Sequence, residues 1–435
     1  MKRSVFYLVL FGNAALISLF WWRASSPFFA GGQATEIIIA FGRLAGLLGQ
    51  FTLLVQLMLV GRIRFIEPLF GHDKMNRVHR IIGYSILALF LSHPLLIIWG
   101  YSRLSGLTFW AQFKAILASG QGRVYAFVAL LLFAAIISVS LPPVRRRLRY
   151  EVWYFTHLFV YMALVLVFIH QLYGEDLSSG PFRTYWIILN GGVFSIFIVF
   201  RFIRPLYLFA KHRFYIDRIV PETKDVNSVY IKGRRMNEFK FTAGQFSNYI
   251  FLSKKMWSSH PFSFSIAPNG EYLRISAKAV GDFTSKIRDN LKPGTKVIVD
   301  GPLGTFTEKR AKLDKFLFIA GGIGITPIRS MVESLARKGT DMVLLYGNRA
   351  ELETALLGEL RPLLKRLHLV LSEEKTNQHE VGYIDVEKIS RLVPDFRERE
   401  IYVCGPPPMM KKLISALENA GASRSQIHYE RFALA

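Results

Sequence analysis

HRIIGYSILALFLSH, residues 79–93, and HLFVYMALVLVFIH, residues 157–170, are apolar stretches bounded at both ends by histidine. An ionisable side chain inside a bilayer is costly and usually faces a cavity, a partner or a cofactor. His79 and His93 lie 14 residues apart, His157 and His170 13 apart, which separates the imidazoles of each helix by ~21 and ~20 Å at ~1.5 Å per residue. The two stretches are the third and fifth of six and run in the same direction. Pairing His79 with His157 and His93 with His170 therefore makes two matched sites, one towards each surface. A single histidine in a span is often a polar contact between helices, but four at matched depths point to ligation. Neutral imidazole is a common iron ligand, and a flat, apolar haem fits between two of them. One detail of the spacing is awkward, because 14 residues return ~40° short of the same helix face whereas 13 land ~140° away. A tilt or π-bulge is expected in the fifth stretch, or else a bundle presenting its two sites to different sides of that helix.

These stretches belong to a chain of 435 residues that is 51% hydrophobic and 14% aromatic, too apolar for an ordinary soluble enzyme. The excess lies in the first half, where six stretches approach the ~20 residues that cross a bilayer. They cover roughly residues 4–22, 35–60, 77–100, 122–141, 151–172 and 183–204. Lys2 and Arg3 before the first one raise the alternative of a cleaved signal peptide; its apolar run exceeds the usual ~7 to 15 residues, so a retained span is expected. Arg62, Arg64, Lys74 and Arg77 follow the second stretch, and Arg145, Arg146, Arg147 and Arg149 the fourth. By the positive-inside rule these loops, and with six spans both termini, are cytoplasmic in a multi-pass protein of the cell membrane. The net charge of +24 gathers in these loops and around Arg201, Arg204, Lys211 and Arg213. Anionic lipid headgroups, not nucleic acid, are thus the expected partner. Cys404 is the one cysteine, which excludes an internal disulfide and a cysteine-ligated cluster. Arg43 lies in the second stretch, nearer its outer end, where it could pair with propionates of the outer haem and hold an anionic acceptor or product. A snorkelling arginine is the simpler alternative.

From about Lys211 the composition changes. FYIDRIV (214–220), NSVYIKG (227–233), FSNYIFL (246–252), PFSFSI (261–266), YLRISAK (272–278) and KVIVD (296–300) read as short antiparallel strands of a small β-barrel. Next, KFLFIA, DMVLLYGNR, LHLVLSEE and REIYVCGPPPMMKKLISAL alternate with helical segments, the pattern of a parallel doubly wound sheet. Gly321-Gly322-Ile323-Gly324-Ile325-Thr326-Pro327 follows the first of these strands, and its missing side chains let a pyrophosphate approach a helix start. Gly281-Asp282-Phe283-Thr284 opens an expected helix over 284–290 whose N–H groups can take pyrophosphate oxygens. His260-Pro261-Phe262-Ser263 supplies a fixed backbone, an aromatic surface and a hydroxyl at one strand end, which suits a flavin.

The order and spacing of AGQF (243–246), HPFSFS (260–265), KAVGDFT (278–284) and DGPLG (300–304) resemble the ferredoxin-NADP reductase superfamily. Joined to six spans with paired histidines, the whole chain resembles the ferric reductase and NADPH oxidase family, in a prokaryotic NADPH oxidase-like form. The resemblance implies a six-helix transmembrane di-haem domain over 1–208, an FAD-binding β-barrel over 209–308 and an NAD(P)H-binding α/β domain over 309–435. It places Ser263 near flavin N5, with Pro261 and Phe262 bordering the flavin, and Cys404-Gly405-Pro406 on the nicotinamide side. It also implies that a near-terminal aromatic, here Phe432, covers the flavin face that receives nicotinamide.

Nicotinamide gives two electrons as hydride whereas haem takes one, and flavin converts between them. The implied path runs from cytosolic NADPH through FAD and two haems b to an acceptor outside. Arg349, after the second strand of the nucleotide domain, could meet a 2′-phosphate and favour NADPH over NADH. The outer loops around residues 102–122 and 173–183 offer only Glu175 and Asp176 as clustered carboxylates, so O2, reduced to superoxide, is expected ahead of a ferric chelate. Two readings of other classes, a transporter with a regulatory nucleotide-binding domain and a haem-free membrane-anchored flavin reductase serving a protein partner, leave the four histidines without a role.

Overall fold

The computed structural model describes residues 2–173, 177, 180–254, 256–374 and 378–430. The chain divides into two compact units, Met1–Phe70 with Lys74–Arg201 and Gly71–Asp73 with Phe202–Ala435.

Among the described residues six helices are long and apolar enough to cross a membrane: Arg3–Ala30, Ala34–Val60, Lys74–Ser105, Gln121–Ser140, Glu151–Leu172 and Gly180–His212. They carry large apolar side chains outward, Leu8, Ile81, Leu131 and Ile188 being 73, 60, 54 and 67% exposed. Such surfaces are stable only against lipid, and a helix is one of the two structures that satisfy their own backbone there. The chain is a multi-pass membrane protein. The second span is the most enclosed, with half of its most apolar window buried against 6–22% in the others. Leu53 and Leu57 from it join Ile86, Phe133, Ala163, Leu164 and Phe197 of the neighbouring spans in one core.

The fifth span departs from a continuous helix at Phe159, which separates Tyr150–Leu158 from Val160–Leu172. The Phe159 N–H donates to the Thr156 carbonyl in a tight i to i+3 turn between the two histidines. This is the opposite of the π-bulge that the spacing suggested; among the described residues the π turn is instead Val199–Ile203, in the sixth span. A short helix, Phe109–Ala118, precedes the fourth span and is capped by the Thr108 hydroxyl, which accepts from Ala111 N–H.

In the second unit, β1 (Tyr215–Pro221), β2 (Val226–Lys232), β3 (Phe246–Phe251), β4 (His260–Ser263), β5 (Leu273–Lys278) and β6 (Val297–Leu303) form two three-stranded antiparallel sheets, ordered β1-β2-β5 and β4-β3-β6. Bridges Tyr215 to Lys296 and Phe264 to Ile275 join the sheets into a barrel around Phe214, Val229, Phe251, Phe264, Ile275 and Val297. Beyond it, β7 (Lys315–Gly321), β8 (Asp341–Asn348), β9 (Arg366–Leu371), β10 (Glu380–Val381), β11 (Glu400–Cys404) and β12 (Ile427–Tyr429) make a six-stranded parallel sheet ordered β10-β9-β8-β7-β11-β12. Strand order reverses at β7, so β7 and β11 flank the crevice where ligands of such sheets bind. Both strands are buried on both faces, hence their nearly unbroken apolar sequences.

An ion network built on two buried arginines ties the barrel to this sheet. Arg274 of β5, 2% exposed, donates through both terminal nitrogens to Glu359 at 2.6 and 3.0 Å, and Arg329 reaches the same carboxylate at 2.6 Å. Arg329 also pairs with Glu333, which accepts the Ala267 N–H of the barrel at 2.9 Å. Burial opposes ionisation of Glu359, but the two guanidinium groups outweigh it and hold the carboxyl below its ordinary range.

Candidate functional site

The structure brings the membrane histidines together in the two expected pairs. Ring centres of His79 and His157 are 6.3 Å apart, and those of His93 and His170 6.4 Å. Two metal–imidazole bonds of about 2.0–2.1 Å, with about 1.1 Å from each nitrogen to its ring centre, sum to roughly 6.3 Å. The rings are turned 70° and 59° from parallel, so neither pair is a face-to-face stack. Among the described residues no group of three or more His, Cys, Asp or Glu side chains could hold a bare cation. Two imidazoles suffice only where a macrocycle brings the other donors, and the residues present fit haem.

Backbone carbonyls that sequence reasoning did not single out orient the His93 and His170 pair. His93 Nδ1 lies 2.8 Å from the Gly42 carbonyl and His170 Nδ1 3.1 Å from the Gly122 carbonyl. With Nδ1–H donated, Nε2 carries the lone pair that a metal takes. Both carbonyls precede an arginine. Arg43 follows Gly42 and sets its guanidinium 6.0 Å from the centre of the Phe28 ring; Arg123 follows Gly122. Glycine is required along the second span because the third lies against it. A Cβ on Gly46 would come within 2.8 Å of His93 Nδ1, one on Gly49 within 2.8 Å of Phe90, and one on Gly42 within 3.0 Å of Ile97. Neither Gly42 nor Gly122 stands out in the sequence, since a carbonyl acceptor leaves no mark on the side chains. Deeper in the bundle Gln50 donates to Asn190 at 2.7 Å, and the Trp186 indole to Gln171, the neighbour of His170, at 2.9 Å.

At the barrel, β4 lies antiparallel to β3 and sets Ser263 opposite Phe246, Phe262 opposite Ser247 and Pro261 opposite Asn248. The buried Ser263 Oγ and Asn248 Nδ2 have no hydrogen-bond partner among the described residues, and the Ser247 and Tyr249 hydroxyls have none there but each other. Buried polar atoms are rarely left so, and a cluster along one strand pair suits a polar ring system such as flavin. Burial pushes the Tyr249 phenol well above its ordinary range, so it is a neutral donor. His260 stacks on Phe283 with ring centres 3.6 Å apart and bonds Ser258 Oγ at 2.9 Å. The helix expected after Gly281 and Asp282 is a 3-10 turn, Thr284–Lys286, followed by one α turn, Ile287–Asn290. The Thr284 hydroxyl accepts the N–H groups of Val280 and Gly281 at 3.1 and 3.2 Å, so these two already have a partner within the loop.

In the nucleotide domain the two motifs meet in backbone contact. Cys404 pairs with Ala320 across β11 and β7. A Cβ on Gly324 would overlap the Cys404 carbonyl, and one on Gly405 would lie 3.0 Å from Gly321 Cα. Thr326 bonds back to the Ile323 carbonyl at 3.1 Å, and with Pro327 is buried in the first turn of the helix Ile325–Ala336. Gly322 adopts φ +51°, the left-handed region open to glycine. Cys404 is fully buried, its thiol donating to the Glu430 carbonyl at 3.8 Å, and Pro406 precedes the helix Pro407–Asn419. Arg349 follows β8 and is held in two bonds by Glu353 at 2.9 and 3.0 Å, an i,i+4 partner that raises the guanidinium pKa. Phe432, Glu175 and Asp176 lie outside the described residues.

The class defined by this fold is a flavin-dependent NAD(P)H oxidoreductase on a membrane-spanning helical domain. Residues 45–168 match the ferric reductase like transmembrane component, residues 197–307 an FAD-binding domain and residues 318–414 the oxidoreductase NAD-binding domain. Together they give the chain a ferric reductase and NADPH oxidase-like architecture. The chain is 29% identical over 236 residues to the glycine betaine monooxygenase reductase subunit of Pseudomonas aeruginosa (strain UCBPP-PA14), covering 51% of this chain and 64% of that protein. It is 29% identical over 239 residues to an NADPH oxidoreductase of Mycobacterium tuberculosis, covering 53% of this chain and 62% of that one. The chain thus spans less than two thirds of the length of these relatives. Among solved structures, the flavohem-like FAD/NAD binding domain of nitric oxide dioxygenase from Vibrio cholerae O1 biovar El Tor matches at 21% identity and TM-score 0.46, covering 50% of this chain and 97% of that one.

Gly324→Ala pushes the two nucleotide motifs apart. A displacement of about 1 Å at the site is expected to cost roughly 100-fold in kcat/KM for NAD(P)H, with bound flavin per chain unchanged. Wild-type kinetics in this variant would show that the motifs need not touch.

Proposed function

We propose that the chain carries electrons from cytosolic NADPH to O2 on the opposite side of the membrane, forming superoxide, with FAD held by the barrel and a haem b between each imidazole pair. Bound there, flavin converts hydride to single electrons and haem accepts and releases them one at a time. The observation that carries this reading is the pair of imidazole separations, 6.3 and 6.4 Å, at two depths of one bundle.

The residues divide the work. Ser263, Pro261, Phe262 and His260 would border the isoalloxazine, and Gly281, Asp282, Phe283 and Thr284 the pyrophosphate. Gly321, Gly322, Gly324, Thr326 and Pro327 admit the nucleotide phosphates, and Cys404, Gly405 and Pro406 face the nicotinamide. Phe432 would cover the flavin until nicotinamide displaces it. In the membrane, His79 with His157 and His93 with His170 would each hold one haem, which would supply one-electron transfer to the acceptor. Arg43 offers a cation where superoxide forms, favouring the charge that develops. Topology follows the positive-inside rule, with Arg62, Arg64, Arg145, Arg146 and Arg147 cytoplasmic.

Three outcomes test this. His79→Ala or His157→Ala lowers haem from two to one per chain, as does His93→Ala or His170→Ala with the other haem, while NADPH still reduces the flavin. Any of these variants retaining two haems with unaltered spectra contradicts the pairing.

Arg349→Ala lowers the kcat/KM ratio of NADPH over NADH about ten-fold, the scale of one charged hydrogen bond, and Glu353→Gln, which releases the guanidinium, raises it. An unchanged ratio in both removes Arg349 from the nucleotide site.

In detergent under air, NADPH oxidation drives cytochrome c reduction that superoxide dismutase abolishes. Fast anaerobic reduction of a ferric chelate with negligible superoxide in air would instead make the chain a ferric reductase using the same path.

A further inference from the structure

The outer histidines each have an acceptor for Nδ1–H in a backbone carbonyl, whereas the inner ones do not. Among the described residues, the buried Nδ1 atoms of His79 and His157 have no hydrogen-bond partner. Beside His79 lies a second buried atom in the same condition. Gln56 of the second span is 7% exposed, its Nε2 donates to the His79 carbonyl at 2.9 Å, and its Oε1 has no partner among the described residues. A donor and an acceptor, both buried, thus sit on two residues already bonded to each other.

The register of the two spans shows why they coincide. Gly42 and Gln56 are 14 residues apart on the second span, and His79 and His93 are 14 apart on the third. The spans run antiparallel, with Gly42 and Gly46 against His93, Gly49 against Phe90 and Gln56 against His79 and Gly83. Residues 42, 49 and 56 repeat every seven and share one helix face. Gly83 leaves the amide room, since a Cβ there would lie 3.7 Å from Gln56 Nε2. The terminal amide torsion of glutamine is broad and turns at little cost.

We propose that Gln56 is the positioning residue of the inner imidazole, its amide oxygen accepting the His79 Nδ1–H as the Gly42 carbonyl does for His93. The second span is then a single rail that orients both imidazoles of the third. The inference rests on the haem reading above. An accepted Nδ1–H raises the basicity of a ligating imidazole and favours the ferric state of the iron it holds.

The test is redox titration and low-temperature electron paramagnetic resonance of the haem-loaded full-length protein, comparing wild type, Gln56→Leu and Gln56→Glu. Gln56→Leu is expected to move one haem midpoint positive and its low-spin signal, by about a ten-fold change in ferric over ferrous preference, ~59 mV for one electron, while the other haem stays. Gln56→Glu, which retains an oxygen at the same reach, is expected to keep two haems and move the same midpoint negative; it decides the matter if the leucine variant does not accumulate. Midpoints and signals unchanged in the variants, with two haems in wild type, overturn the role of Gln56 and leave the haem reading standing. Wild type without haem, after expression with ample haem, overturns both.

Discussion

The separation of the imidazole rings in the membrane bundle is the constraint on which the rest depends. Ring centres 6.3 and 6.4 Å apart, with planes inclined by 70° and 59°, match the separation of two imidazoles that share one metal. Such a gap persists only if the third and fifth spans are positioned by their other neighbours. On one side the second span does this, with Gly42, Gly46 and Gly49 bringing its backbone against the third so that a carbonyl reaches His93. On the other side the fourth span supplies Gly122 to His170. The His93–His170 pair is thereby joined to backbone acceptors, and the outer faces of the bundle are left apolar for lipid.

The second unit depends on a comparable close approach. Reversal of strand order at β7 brings the ends of β7 and β11 side by side, and glycines at 321, 324 and 405 allow two loops to meet as bare backbone. The switch between β7 and β11 is where sheets of this kind bind their ligands, while the network of Arg274, Glu359, Arg329 and Glu333 fixes the sheet to the barrel beside it. Removing Glu359 leaves the Arg274 guanidinium, 2% exposed, without its carboxylate partner. The relation between barrel and sheet, which a hydride donor must cross, therefore has a specific electrostatic fastening.

Much of this was legible from residues alone. Six apolar stretches, four histidines at matched depths, a run of short strands and an alternating strand and helix pattern each carry a periodicity that side chains record. What was not legible involves the backbone or the partner of a residue. Carbonyls at Gly42 and Gly122 have no side-chain signature, and the Phe159 turn has none of the glycine or proline that marks most helix breaks. Gln56 reads as an isolated polar residue in an apolar span until its register with His79 is known. Arg349 looks free to meet a phosphate in sequence, yet Glu353 one helical turn on already engages it. The loop after Gly281 spends Thr284 on two of its own N–H groups, which no motif announces.

In the proposed path electrons leave the side that binds nucleotide and arrive on the other side of the bilayer. Sealed proteoliposomes holding an impermeant ferric oxidant inside, with the nucleotide site facing out, test it directly once NADPH is added outside without oxygen. The account predicts that the trapped oxidant is reduced, at a rate that disappears in chains lacking both haems. Reduction only of an oxidant placed outside, with the trapped one untouched, would contradict it.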